Sequence, residues 1–123
     1  MNGLKALLDT NIVIGILKDH PSIDPILKAN PLTLRDCAIS QITRMELLSY
    51  PALEASEEKD IRLFLDSLTV LPVDNAIENA TISFRRRHGG KLPDAIIAAT
   101  AKINQLALLT LDQKLLTAFV KDD

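Results

Sequence analysis

KALLDTN, residues 5–11, joins an apolar run to a polar cluster, and its reading decides the fold. Ala6-Leu7-Leu8 has the length and character of a short buried strand. Asp9, Thr10 and Asn11 then supply capping groups for the apolar, helix-like segment of Ile12, Val13, Ile14, Ile16 and Leu17. If the sheet is parallel, Asp9 lies at a carboxyl edge, where open α/β sheets place their ligands. The question for the rest of the chain is which other carboxylates meet it there.

Working outward, the same alternation recurs. Ala38-Ile39-Ser40 reads as a second strand leading into a helix from Gln41 to Ser49, which stops before Pro51. Ser56 reads as the cap of a helix carrying Ile61, Phe64, Leu65 and Leu68 at helical spacing, with Glu57 and Glu58 in its first turn. Thr69 to Val73 is a third strand. Asn75 with Glu78 has the form of a capping box and opens a helix to His88, ended by Gly89-Gly90. Pro93 starts the next helix, Asp94 to Gln105. Ala107-Leu108-Leu109 is a fourth strand, and Asp112 opens a last helix through Leu115, Leu116 and Phe119. Short apolar strands alternating with helices predict an α/β fold, a central parallel sheet of four or five strands between helical layers.

The 123 residues form one domain, 1–123, with no repeat, low-complexity segment or dividing linker. Hydrophobic content of 47% and a charged fraction of 24% are those of a soluble globular chain. A net charge of −2 argues against a generally basic nucleic-acid binder, but not against a nucleic-acid enzyme whose clustered acids hold metal. One cysteine, Cys37, forbids an internal disulfide and disfavours a thiolate zinc site; it reads as a small buried hydrophobe. With no Trp, one Tyr and three Phe, a base-stacking platform is not expected. No signal peptide or spanning segment is evident, so the expectation is a cytoplasmic protein without membrane contact.

Four acids stand where strands end or helices begin: Asp9, Glu46, Asp94 and Asp112. Asp9, Asp94 and Asp112 each have a plain structural reading as helix caps or dipole partners. Glu46 sits at the edge of an apolar stripe, and Asp94 shares its helix face with Ile97, Ala98 and Ala101. A carboxylate on an apolar stripe needs a partner or a metal, and few basic residues lie beside these positions. Two carboxylates about 5 Å apart repel by about 3 kcal/mol at an effective dielectric of 20. An all-oxygen set suits Mg²⁺ or Mn²⁺, one ion or two, for water activation and leaving-group stabilisation in phosphodiester hydrolysis. His20 and His88 fall outside these segments and read as surface residues.

These residues resemble the PIN-domain ribonuclease family, most closely its small VapC-type toxins. LLDTN at 7–11 is similar to the first family motif, implying Asp9 as a metal ligand supported by Thr10 and Asn11. ISQITRMEL at 39–47 resembles the second, with Ser40 and Thr43 ahead of Glu46. LPDAIIAATA at 92–101 supplies Asp94. LLTLD at 108–112 resembles the last, with Thr110 as hydroxyl support and Asp112 as the fourth acid. The chain departs from the family at Lys114 and Leu115, where a further acid and a Phe are common, and at Ser49-Tyr50-Pro51, where a glycine is common. The resemblance implies a three-layer α/β/α sandwich, Mg²⁺ or Mn²⁺ dependence and hydrolysis of RNA. It also implies a homodimer and a cognate antitoxin that plugs the groove.

Arg85-Arg86-Arg87-His88 with Lys91 is the one dense positive run, a few residues before Asp94. It reads equally as a contact to RNA phosphates or acids of a partner, and as cations complementing a helix C-terminus. Two other functions remain open. One is a non-catalytic partner-binding module on the same fold. The other is an Mg²⁺-dependent phosphoacceptor or phosphatase domain, for which Asp74 after strand three is the one suitable feature, explained as readily by capping.

Overall fold

The computed structural model describes residues 3–122. Its four strands are β1 (Ala6–Leu8), β2 (Cys37–Ser40), β3 (Thr69–Leu71) and β4 (Ala107–Leu109). They pair in the order β3-β2-β1-β4, all parallel. Seven α-helices accompany them: α1 (Thr10–Leu17), α2 (Asp24–Ala29), α3 (Gln41–Leu48), α4 (Ala55–Leu65), α5 (Asn75–His88), α6 (Leu92–Ile103) and α7 (Gln113–Lys121).

Alternation along the strands sorts the core into two halves. Ala6, Leu8, Cys37, Ile39 and Leu109 point to one face, where Ile12 and Val13 of α1, Leu47 of α3 and Leu65 of α4 cover them. Leu7, Ala38 and Leu108 point to the other and meet Phe84 of α5, Ala95, Ile97, Ala98 and Ala101 of α6, and Leu115 of α7. This is the expected three-layer α/β/α sandwich. Every residue of β1 is buried because it has a strand on each side and a helical layer on each face.

The connections explain the order. From β1 the chain moves outward to β2 and β3, with α1 to α4 on the first face. It then returns across the sheet to β4, past α5 and α6 on the second face. Opposite travel with the same crossover hand requires opposite faces. The reversal puts the switch point of the sheet between β1 and β4, and open α/β sheets place their ligands at the carboxyl ends of such a pair.

Several boundaries differ from expectation. The third strand ends at Leu71, because Pro72 has no N–H to extend the ladder. The cap of α4 is Glu54, in a reciprocal box with Glu57, and Ser56 lies inside the helix. For α5 it is Asp74 that accepts from the Ile77 amide, so Asn75 is the first helical residue and not the cap. The helix carrying Asp94 begins at Leu92 and ends at Ile103, before Gln105 turns left-handed at φ 55°. Cys37 is buried, as expected. His20 is exposed and caps a short turn, whereas His88 is half-buried beside Asp122.

Gly15 of α1 is required by packing. A Cβ there would lie 2.5 Å from Cγ2 of the buried Ile23, a methyl fixed at a β-branched carbon that cannot swing aside. The strain outweighs Ala's better helix propensity. Gly15→Ala is expected to destabilise the protein by about 1–2 kcal/mol in a urea titration. Equal or higher stability would mean that the α1 turn region relaxes freely.

Candidate functional site

The site is built where β1 and β4 end. The Asp9 amide donates to the Leu109 carbonyl at 2.9 Å, carrying the β1–β4 ladder one residue further. Thr110 is thereby set beside the Asp9 side chain. Its hydroxyl donates to Asp9 Oδ2 at 2.6 Å and accepts from the Asp112 amide at 3.0 Å. Asn11 completes the knot: Nδ2 donates to Asp9 Oδ2 at 3.2 Å and Oδ1 accepts from the Leu111 amide at 3.1 Å. Asp9 Oδ1 accepts from the Thr10 amide at 2.7 Å as the cap of α1. Asp9 is 5% exposed, and its carboxylate has three donors.

Thr10 reaches the other way. Its hydroxyl donates to Glu46 Oε1 at 2.7 Å and lies 3.0 Å from the hydroxyl of the fully buried Thr43. Glu46 comes from α3, whose first turn is capped by Ser40, the side chain accepting from the Ile42 amide. Ser40 therefore serves the helix, not the acid. Asp112 caps α7 by accepting from the Leu115 amide at 3.0 Å. Asp94, in the first turn of α6, takes no hydrogen bond from the described residues.

Electrostatics tie the four acids together. Burial raises the Asp9 pKa; donation from Thr110 and Thr10 opposes this, and the charges of Glu46 and Asp112 add to it, leaving the group above its usual value. Asp94 is raised as well, first by burial and then by Asp9 and Asp112, with Lys91 the one cation opposing. None of the four takes part in a salt bridge among the described residues. No group of three or more His, Cys, Asp or Glu among those residues is arranged to hold a metal ion. The chemistry of the donor set nonetheless suits a hard divalent ion, being all oxygen, negatively charged and without a salt-bridge partner among the described residues. Mg²⁺ is commonly held by one or two carboxylates with water completing its shell. Asp9, Asp94 and Asp112, with Glu46, are the residues that would hold it.

The basic run divides in the structure. Arg87 donates from Nε to Asp122 Oδ1 at 2.8 Å, and His88 Nε2 lies 2.9 Å from the same oxygen. Arg85 turns back to the Gly90 carbonyl at 3.1 Å. Lys91 stays at the start of α6 as a cation in the cap position, next to the dipole's positive end. Asp74 acts only as the α5 cap and is not among the charges felt by Asp9.

Residues 6–119 match the PIN domain. A toxin–antitoxin complex from Klebsiella pneumoniae contains a chain 34% identical to this one; the match covers 89% of this chain and 88% of that one, with a TM-score of 0.76. FitAcB from Neisseria gonorrhoeae is 26% identical over 94% and 93%, with a TM-score of 0.73. DNA-bound VapBC from Salmonella typhimurium is 28% identical over 84% and 83%, with a TM-score of 0.66. No curated protein matches the chain significantly. With a family match spanning nearly its whole length, the chain belongs to the PIN domain family.

Proposed function

We propose that this protein is a divalent-metal-dependent endoribonuclease and the toxin of a toxin–antitoxin pair. The observation that carries the reading is electrostatic: Asp9, at the carboxyl ends of β1 and β4, feels the charges of Glu46 and Asp112, and Asp94 those of Asp9 and Asp112, with Lys91 the one opposing cation. Membership of the PIN family and the likeness to a chain of a toxin–antitoxin complex support it. The partners in this reading are an RNA substrate, a cognate antitoxin and a second copy in a homodimer. A cytoplasmic setting is consistent with the absence, among the described residues, of any helix long and apolar enough to cross a membrane.

A bound Mg²⁺ or Mn²⁺ would polarise the phosphodiester and lower the pKa of an attacking water. The protein's own groups divide the remaining work. Asp9, held by three donors, is the fixed point of the site. Glu46 is oriented by Thr10, backed by Thr43. Asp94 has no hydrogen bond to give up and is free to turn to a ligand. Asp112 is fixed by its role at α7. Lys91 and Arg86 are the members of the basic run not engaged by the hydrogen bonds that hold Arg85 and Arg87, and they are the ones available to RNA phosphates.

The test is cleavage of RNA with EDTA, Mg²⁺ or Mn²⁺, comparing wild type with Asp94→Asn. Cleavage is expected only with metal and is expected to fall at least about a hundredfold in the variant. Cleavage in EDTA, or an unaffected variant, would end the reading of a metal-dependent nuclease built on these acids. A binding module would show neither cleavage nor a rise in melting temperature with Mn²⁺.

The two central acids should separate in metal-free stability. Asp94→Asn removes charge repulsion and no hydrogen bond, so its melting temperature should equal or exceed that of wild type at pH 7. Asp9→Asn turns an amide toward the Thr110 and Asn11 donors and should cost about 1–2 kcal/mol. Both carboxyls have folded pKa values raised above the 3.8 of an unperturbed Asp. Their stabilising contribution is complete below that value and is lost as pH rises through the folded pKa. The advantage of Asp94→Asn over metal-free wild type should therefore grow from pH 4 toward pH 7 in a thermal-melt series. A constant difference would assign Asp94 no uncompensated charge.

A further inference from the structure

The C-terminal turn of α7 holds an ionic cluster that the proposed chemistry does not use. Asp122 is 6% exposed in its side chain, yet it is charged: Arg87 Nη2 lies 2.7 Å from Oδ1, and Arg87 Nε and His88 Nε2 contact the same oxygen. Burial alone would raise its pKa, but donation by His88 and Arg87 and their charges outweigh it and hold the group below its usual value. Lys102, in the last turn of α6, donates to the Asp122 main-chain carbonyl at 2.6 Å and lies 4.5 Å from the centre of the Phe119 ring. His88 is itself set against Phe84, ring centres 4.6 Å apart. One residue thus fastens α7 to the ends of both α5 and α6.

The same helices carry two of the acids at their other ends. Asp94 is in the first turn of α6 and Asp112 caps α7. With nine residues, α7 is a rod about 13 Å long, so fixing its C-terminal end limits the tilt that its capped end can take. The charges of Asp94 and Asp112 are already within reach of each other. We propose that Asp122 is a remote positioning residue: by clasping Arg87, His88 and Lys102 it fixes α7 against α5 and α6 and so sets the spacing between Asp112 and Asp94. The effect on metal binding rests on the nuclease reading, whereas the effect on α7 does not.

Two measurements on the full chain separate these. The first is amide hydrogen exchange of the metal-free protein at Leu115, whose N–H is held by Asp112. Asp122→Asn keeps the side-chain shape and removes the charge; Lys102→Met removes the other tie and leaves the Arg87 pair. Each variant should raise exchange at Leu115 severalfold relative to the Glu58→Gln control on α4, remote from the clasp. The second is the Mn²⁺ concentration giving half of the maximal rise in melting temperature. It should increase roughly three- to tenfold in both variants, and Asp122→Glu should restore part of the loss. A clasp with a merely local role would lower the melting temperature of the metal-free variants without changing Leu115 exchange or the Mn²⁺ midpoint. That result overturns the proposal. If wild type shows no Mn²⁺ response, the nuclease reading fails, and the Leu115 exchange alone decides for or against the clasp.

Discussion

The parallel pairing of β1 with β4 is the constraint on which the site depends. It joins segments about a hundred residues apart, and the ladder runs on through the Asp9 amide to Leu109. A one-residue slip of β4 along β1 would turn Leu108 toward the wrong core half and would also separate Thr110 from Asp9. Register is therefore enforced twice, by apolar burial on both faces and by the hydroxyl between the two strand ends. The same hydroxyl also orders Asp112, because Thr110 accepts from the Asp112 amide. An apolar pairing problem and a polar placement problem share one solution.

Much of this was legible in the sequence because the strands are short, wholly apolar and followed at once by polar caps. Ala6-Leu7-Leu8 and Ala107-Leu108-Leu109 have the observed boundaries, and Asp9 and Asp112 cap the helices expected of them. Two of the misplaced boundaries are those where nearby residues compete for one cap. Glu54 prevails over Ser56 because its carboxylate and that of Glu57 satisfy each other's amides. Asp74 prevails over Asn75 because its side chain is the one that reaches the Ile77 amide. Local spacing cannot rank such neighbours.

The acids show a deeper limit on reading by pattern. In the sequence Asp9 and Asp94 look alike, each at a helix start and each beside apolar residues. In the structure they are opposites. Asp9 is buried and has three donors, so it contributes to the fold whether or not a cation is present. Asp94 receives no hydrogen bond from the described residues and is surrounded by like charges, with Lys91 alone opposing. Only the second pattern is hard to explain by stability.

The basic run also changes meaning when the C-terminus is placed. Arg85-Arg86-Arg87-His88 reads as one patch, but a helix turns successive residues by about 100°, so four adjacent side chains cannot share a partner. Arg87 and His88 face Asp122, Arg85 folds back on Gly90, and Lys91 lies beyond the helix at the acidic edge. The protein consequently contains two charged assemblies with opposite pH demands. Asp122, with a lowered pKa, adds stability above the unfolded value of 3.8 that is lost as pH falls through its folded pKa. Asp9 and Asp94, with raised values, do the reverse. At neutral pH the clasp is satisfied and the acid edge is not, so the unfavourable charge is concentrated where a divalent cation would relieve it, while α6 and α7 are secured at their other ends.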